Sequence, residues 1–159
     1  MPQYKAPLRD MRFLLNEVFD YPAHYASLPN GEDATPDMVD AIMEGCATFC
    51  EEVLSPLYLT GDQEGCTIND GEVTTPKGFK EAYAQYIEGG WAALGCDPEY
   101  GGQGLPFVVN QCLYEMLNSA NQAWTMYPGL SHGAYEALLA HGTDEQKKTY
   151  LPKLVSGEW

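Results

Sequence analysis

The apolar positions of this chain fall into blocks of helical period separated by proline- and glycine-rich punctuation. Leu8, Met11, Leu14, Leu15, Val18 and Phe19 recur at the spacing of one helix face and predict a short amphipathic first helix. The stretch from Tyr21 to Asp33 holds two prolines, Asn30-Gly31 and acidic residues, and predicts a loop. Thr35-Pro36-Asp37 is a helix start, with a hydroxyl to cap and proline at the first helical position. Met38, Ile42, Cys46, Phe49 and Val53 then predict one inward face, and Pro56 ends that helix or bends it. Thr67-Ile68 and Glu72-Val73-Thr74 flank Asn69-Asp70-Gly71 and predict a small hairpin.

Thr75-Pro76 repeats the Thr-Pro start, and Phe79, Tyr83, Tyr86 and Ile87 carry a helix to Gly89-Gly90. A short apolar piece, Trp91 to Leu94, leads on to Pro106, which opens a helix with Val109, Cys112, Leu113, Met116 and Leu117 inward. A further helix is expected from Pro128 to Ala140, packed by Leu130, Ala134, Leu138 and Leu139 and stopped by Gly142. In the last run Thr143 and Gln146 have capping-box spacing, with Asp144 and Glu145 at the positive end of the dipole and Lys147 and Lys148 beyond. The pattern predicts an all-α fold, an orthogonal bundle of about five or six helices with at most a hairpin near 67–74.

Composition narrows the partners. A length of 159 residues fits one domain, and 45% apolar residues suffice for one core. A net charge of −15 excludes nucleic acid and anionic membrane as partners, since both carry phosphate. The same repulsion applies to the polyanionic heads of coenzyme A and flavin dinucleotides. Five cysteines, an odd number, and an N-terminus without a basic-then-apolar leader predict free thiols in the reducing cytoplasm. No apolar run approaches a membrane span. The chain stops just after Gly157 with its last element unfinished, which predicts a piece of a longer protein.

Few residues carry chemistry by themselves. Gly101, Gly102 and Gly104 follow Asp97-Pro98-Glu99 rather than a strand, so a tight interhelical turn outweighs a phosphate loop. Cys46 and Cys50 share a helix face without a second ligand pair, which favours core packing over zinc. His141 precedes a helix end, where a cation suits the dipole. Ser131 and His132 are adjacent and point about 100° apart on a helix, which disfavours a hydrolase pair. Met116, Trp124, Met126, Tyr127 and Tyr135 read as core. Beside them Pro128-Gly129, Ser131 and Gly133 leave room for a groove, so a pocket for an apolar chain is the alternative.

Four segments, in order, carry a resemblance that spans essentially the whole chain. They are Tyr4-Lys5-Ala6-Pro7-Leu8-Arg9-Asp10-Met11-Arg12-Phe13, Thr74-Thr75-Pro76-Lys77-Gly78-Phe79, Pro98-Glu99-Tyr100-Gly101-Gly102-Gln103-Gly104-Leu105-Pro106, and the closing Glu145-Gln146-Lys147-Lys148, Tyr150-Leu151-Pro152 and Gly157-Glu158. They resemble the N-terminal helical domain of acyl-CoA dehydrogenases, in a long subgroup with an N-terminal extension that is similar to the methylthiopropionyl-CoA dehydrogenases. The resemblance implies an extension over 1–34 and the helical domain over 35–159, with the flavin-binding β domain and the C-terminal helical domain absent.

It also implies α,β-dehydrogenation of an acyl-CoA thioester by the full-length enzyme. A carboxylate base on the C-terminal domain removes the α-proton and FAD takes the β-hydride. No catalytic residue and no flavin is then expected in this piece. By the match, Trp124, Tyr127, Gly129, Leu130 and Met116 line the acyl pocket, with Tyr114 a weaker candidate, and Gly101-Gly102 lies at the active-site mouth. Expected partners of the whole enzyme are acyl-CoA, an electron-transfer acceptor and further copies of itself. The competing expectation is a stand-alone helical interaction module without activity.

Overall fold

A computed structural model describes residues 3–29 and 31–159, so Asn30 of the expected Asn30-Gly31 turn lies outside the described residues. Thr35 behaves as its sequence dictates: its hydroxyl accepts from Met38 N at 3.3 Å, and Pro36 takes the first position of helix α3, Pro36–Phe49. Before it come α1, Leu8–Phe13, which widens into a π-helical turn over Leu14–Val18, and α2, Tyr21–Ala26. Part of the predicted loop is therefore a helix. Pro22 sits in the first turn of α2, where its missing N–H costs nothing, and Tyr25 buries itself in the core.

Helix α3 does not stop at Pro56. It passes through a π-helical turn, Cys50–Leu54, into α4, Ser55–Glu64, whose first turn holds the proline. The wider turn supplies the accommodation that a proline inside a helix demands. The buried face of α3 runs through Val39, Met43, Cys46 and Cys50 to Leu54, while the expected Met38 is exposed. Strands β1, Thr67–Asn69, and β2, Glu72–Thr74, pair antiparallel with Ile68 opposite Val73. Asp70 and Gly71 both have positive φ, 51° and 85°, as a two-residue hairpin turn requires.

Helix α5 spans Phe79–Glu88. Its N-cap is Gly78, with φ 87°, and Thr75-Pro76 lies outside the helix, against expectation. Helix α6, Phe107–His141, consists of two helical segments joined at a kink. The break within it falls at Asn121 (φ −161°, ψ 84°) and not at Pro128, which is buried inside the second segment. Tyr135 is the buried anchor of that segment; Leu130 and Ala134, expected to pack it, are exposed. Gly142 ends α6 in extended backbone, and a Cβ there would lie 2.6 Å from the Leu138 carbonyl oxygen. Helix α7, Asp144–Val155, starts with a complete capping box between Thr143 and Gln146.

The described residues thus form an all-α bundle with one small hairpin. Helix α6 packs on α3, α4, the Cys50–Leu54 turn and α7. The main core joins Cys46, Cys50, Leu54, Phe79, Tyr86, Leu113, Leu117 and Trp124, and a smaller one joins Cys96, Tyr135, Leu151 and Val155. Residues preceding Thr35 share the main core through Met11, Leu15 and Tyr25. No helix among the described residues is long and apolar enough to cross a membrane, although α6 has 35 residues.

Candidate functional site

Asn121 sets the geometry of the site. Its side-chain oxygen accepts from Trp124 N at 3.1 Å and so caps the second segment of α6, while its amide donates to the Leu54 carbonyl at 3.2 Å. The restarted helix presents Trp124, Tyr127, Leu130 and Ser131 toward α5, which offers Phe79, Lys80 and Tyr83. Trp124 is fully buried, donates its indole N–H to the Phe79 carbonyl at 3.1 Å, and meets Tyr86 edge-on at 5.4 Å. The Tyr83 hydroxyl donates to the Gly157 carbonyl at 3.1 Å and holds residues Gly157, Glu158 and Trp159 against the opening. Gly157 has φ 72°, which favours glycine, and a Cβ there would crowd Ile87 at 2.0 Å.

These residues, with Thr75, line an open cavity of about 460 Å³ whose walls are mainly aromatic and aliphatic. Its charged lining residues are Lys80 and Glu158. Burial pushes the Tyr83 phenol above its ordinary range, and burial followed by the Cys66 thiol does the same to Tyr127. Such a space accommodates an apolar chain far better than a polyanion.

The structure brings Trp124, Tyr127 and Leu130 onto this cavity, with Leu130 71% exposed at its edge. Met116 sits in the core away from it. Gly129 is half-buried, with its nearest neighbour the Tyr114 ring, and Tyr114 itself packs on His132 at 5.6 Å. Burial raises the Tyr114 phenol to about 12. Gly101 borders a different crevice with Ile87, Gly90, Tyr100 and Val155. Phe79, Lys80, Tyr83, Gly157 and Trp159 were not foreseen as lining residues. Phe79 and Tyr83 carried a signal, being spaced i, i+4 on one helix face, but the pairing of that face with 157–159 is long-range.

A family model described as "Acyl-CoA dehydrogenase, N-terminal domain" matches residues 37–158. The chain belongs to that family. It is 38% identical over 156 residues to the 3-methylmercaptopropionyl-CoA dehydrogenase of Ruegeria pomeroyi, covering 98% of this chain and 26% of that protein. It is 29% identical over 159 residues to a butyryl-CoA dehydrogenase of Syntrophomonas wolfei, covering 98% and 26%. A broad-specificity linear acyl-CoA dehydrogenase of Mycobacterium tuberculosis is 30% identical over 152 residues, covering 93% and 24%. The chain spans about a quarter of the length of the curated relatives it matches.

Within this acyl-CoA dehydrogenase domain, the Gly101–Gly104 turn does not fit a flavin pyrophosphate. Its amides are already committed: Gly101 N to the Pro98 carbonyl, Gly102 N to Asp97, Gln103 N to Ala93 and Gly104 N to Cys96, all within 3.1 Å. Asp97 and Glu99 flank it, and a Cβ on Gly102 would overlap the Cys96 carbonyl, so these glycines serve a close turn. Cys46 and Cys50 are both fully buried with their sulfurs 3.9 Å apart. Ser131 faces the main cavity, whereas His132 Nε2 faces Asn110 Nδ2 at 3.3 Å and Glu136 at 3.5 Å. Burial lowers the His132 pKa, partly offset by Glu136, and the polar partners of its Nε2 are Asn110 and Glu136 rather than the Ser131 hydroxyl, so it is not placed as a base for that serine.

Proposed function

We propose that this chain walls the acyl pocket of a flavin-dependent acyl-CoA dehydrogenase that forms the α,β-double bond of an acyl-CoA thioester. The observation that carries the reading is the apolar cavity between α5 and α6, lined by Phe79, Tyr83, Trp124, Tyr127 and Leu130. Family membership supports it, as do the acyl-CoA thioesters named for the relatives. The chain holds the acyl tail, orients it and keeps water from it. The flavin, which supplies hydride acceptance when bound, and the base are contributed by the rest of the enzyme.

Charge fits this division, since a polyanionic coenzyme A head is repelled by a domain of net charge −15 while an uncharged tail is not. Residues 1–34 act as an extension of the domain formed by 35–159. As the resemblance implies, Gly129 lies beside the acyl tail and Gly101-Gly102 forms the rim of the active-site mouth. The enzyme works in the cytoplasm as a homo-oligomer and passes its electrons to a separate electron-transfer acceptor.

The test is the visible spectrum of the full-length gene product. A bound-flavin spectrum that bleaches on anaerobic addition of butyryl-CoA or 3-methylthiopropionyl-CoA is expected. Leu130→Asp, at an exposed position the fold tolerates, should raise the KM for these thioesters about tenfold or more by placing a charge at the apolar cavity. A colourless protein without affinity for acyl-CoA would overturn the reading.

A further inference from the structure

Beside the main cavity lies a second, half-open groove of about 420 Å³, lined by Tyr58, Gly61, Asp62, Cys66, Pro76 and Ala123 among others, with Asp62 its one charged residue. The two spaces share two residues, Phe79 and Tyr127. Their rings meet edge-to-face at 6.2 Å and 81°, forming one partition. The two halves of that partition are held very differently. Phe79 is 5% exposed and closes onto Gly61, where an added Cβ would lie 2.8 Å from the ring, while its carbonyl is fixed by the Trp124 indole. Tyr127 is 42% exposed, and the polar neighbour of its hydroxyl is the Cys66 sulfur at 3.9 Å, a weak partner. The partition is thus a fixed wall on the Phe79 side and a yielding one on the Tyr127 side.

We propose that Tyr127 sets the length of acyl chain the enzyme accepts, by closing the main cavity against the second one. This rests on the acyl-pocket reading above. With the phenol in place a chain ends against the Tyr127 and Phe79 rings. Without it the chain continues toward Cys66 and Ala123 into a space nearly as large as the first. Each methylene that enters there strengthens transition-state binding by about fourfold.

The experiment compares kcat/KM of the full-length enzyme across straight-chain thioesters from butyryl-CoA to palmitoyl-CoA. Tyr127→Ala should raise the palmitoyl-to-butyryl ratio by about tenfold or more, whereas Tyr127→Phe, which keeps the ring, should move it less than about twofold. Refilling the second cavity in the double variant Tyr127→Ala/Ala123→Trp should bring the ratio back; Ala123 is exposed and lines that cavity alone of the two. An independent readout is alkylation of Cys66, followed by peptide mass mapping. Palmitoyl-CoA should protect Cys66 in Tyr127→Ala and leave it reactive in the wild type. A folded, flavin-loaded Tyr127→Ala enzyme with an unchanged ratio and an unprotected Cys66 overturns the partition. A wild type that binds no acyl-CoA overturns the acyl-pocket reading instead.

Discussion

At the scale of single residues, Asn121 controls more than its position in the middle of a helix suggests. Asparagine is a poor helix-interior residue because its amide competes for backbone groups, and here that competition is put to use. The oxygen caps the restarted helix at Trp124 N, the amide satisfies the Leu54 carbonyl next to the π-helical turn, and the Asn121 carbonyl accepts from Thr125 Oγ1 at 3.0 Å. Asn121→Ala removes both side-chain bonds at a buried site and should lower stability by about 2 kcal/mol in chemical denaturation. Asn121→Asp keeps the capping oxygen but turns a carboxylate toward the Leu54 carbonyl in place of a donor. Burial then raises the folded-state pKa of the new carboxyl, so its cost at neutral pH should be at least that of alanine and should shrink as the pH falls and the group protonates. An Asp variant as stable as the wild type at neutral pH would show that the Leu54 contact contributes nothing.

At the scale of elements, one dipeptide shows what local sequence decides and what it leaves to packing. Thr35-Pro36 and Thr75-Pro76 carry the same helix-start chemistry, yet only the first opens a helix. At the second, Gly78 takes the left-handed conformation against Leu57, the Lys77 amide is drawn to Glu64 at 3.2 Å, and Phe79 begins the helix. The competing partners come from α4, some 13 residues away for Lys77 and Glu64, so the dipeptide alone does not reveal them. The capping box at Thr143, the hairpin and the inward faces of α5 and the first half of α6 were legible because their determinants lie within one or two turns. The continuity of α6 past Pro128, the exposure of Leu130 and the closure of the cavity by Gly157–Trp159 depend on tertiary contacts that periodicity does not encode. The difference is measurable. Thr35→Ala and Thr143→Ala should each cost about 1 kcal/mol, whereas Thr75→Ala, with no helix to cap, should cost less than about 0.5 kcal/mol. Equal losses at all three positions would mean that Thr75 also supports the start of α5.

At the scale of the whole molecule, two opposing forces act on the surface. The net charge of −15 drives copies apart, yet apolar side chains are exposed in more than one place. Phe13, Leu14, Val18 and Phe19 lie outward on the first helical element, while Phe107, Met126 and Leu130 lie outward on α6. Met11 and Leu15 already anchor that first element in the core, so its outward apolar set is not needed for folding. Water contact with such surface is unfavourable at about 25 cal/mol per Å², and it acts only on contact. Charge repulsion reaches farther but fades beyond a Debye length, about 10 Å at 0.1 M salt. Adding salt therefore weakens the repulsion and leaves the apolar attraction intact. The 159-residue chain should self-associate, and its weight-average mass in sedimentation should rise with concentration and again from low to physiological salt. Substituting Phe13 and Phe19 by serine, or Met126 and Leu130 by serine, identifies which apolar set joins the copies, since only the set in contact abolishes the rise. A monodisperse monomer at micromolar concentration under both salt conditions would mean that charge governs the surface and that the exposed apolar residues are too dispersed to associate.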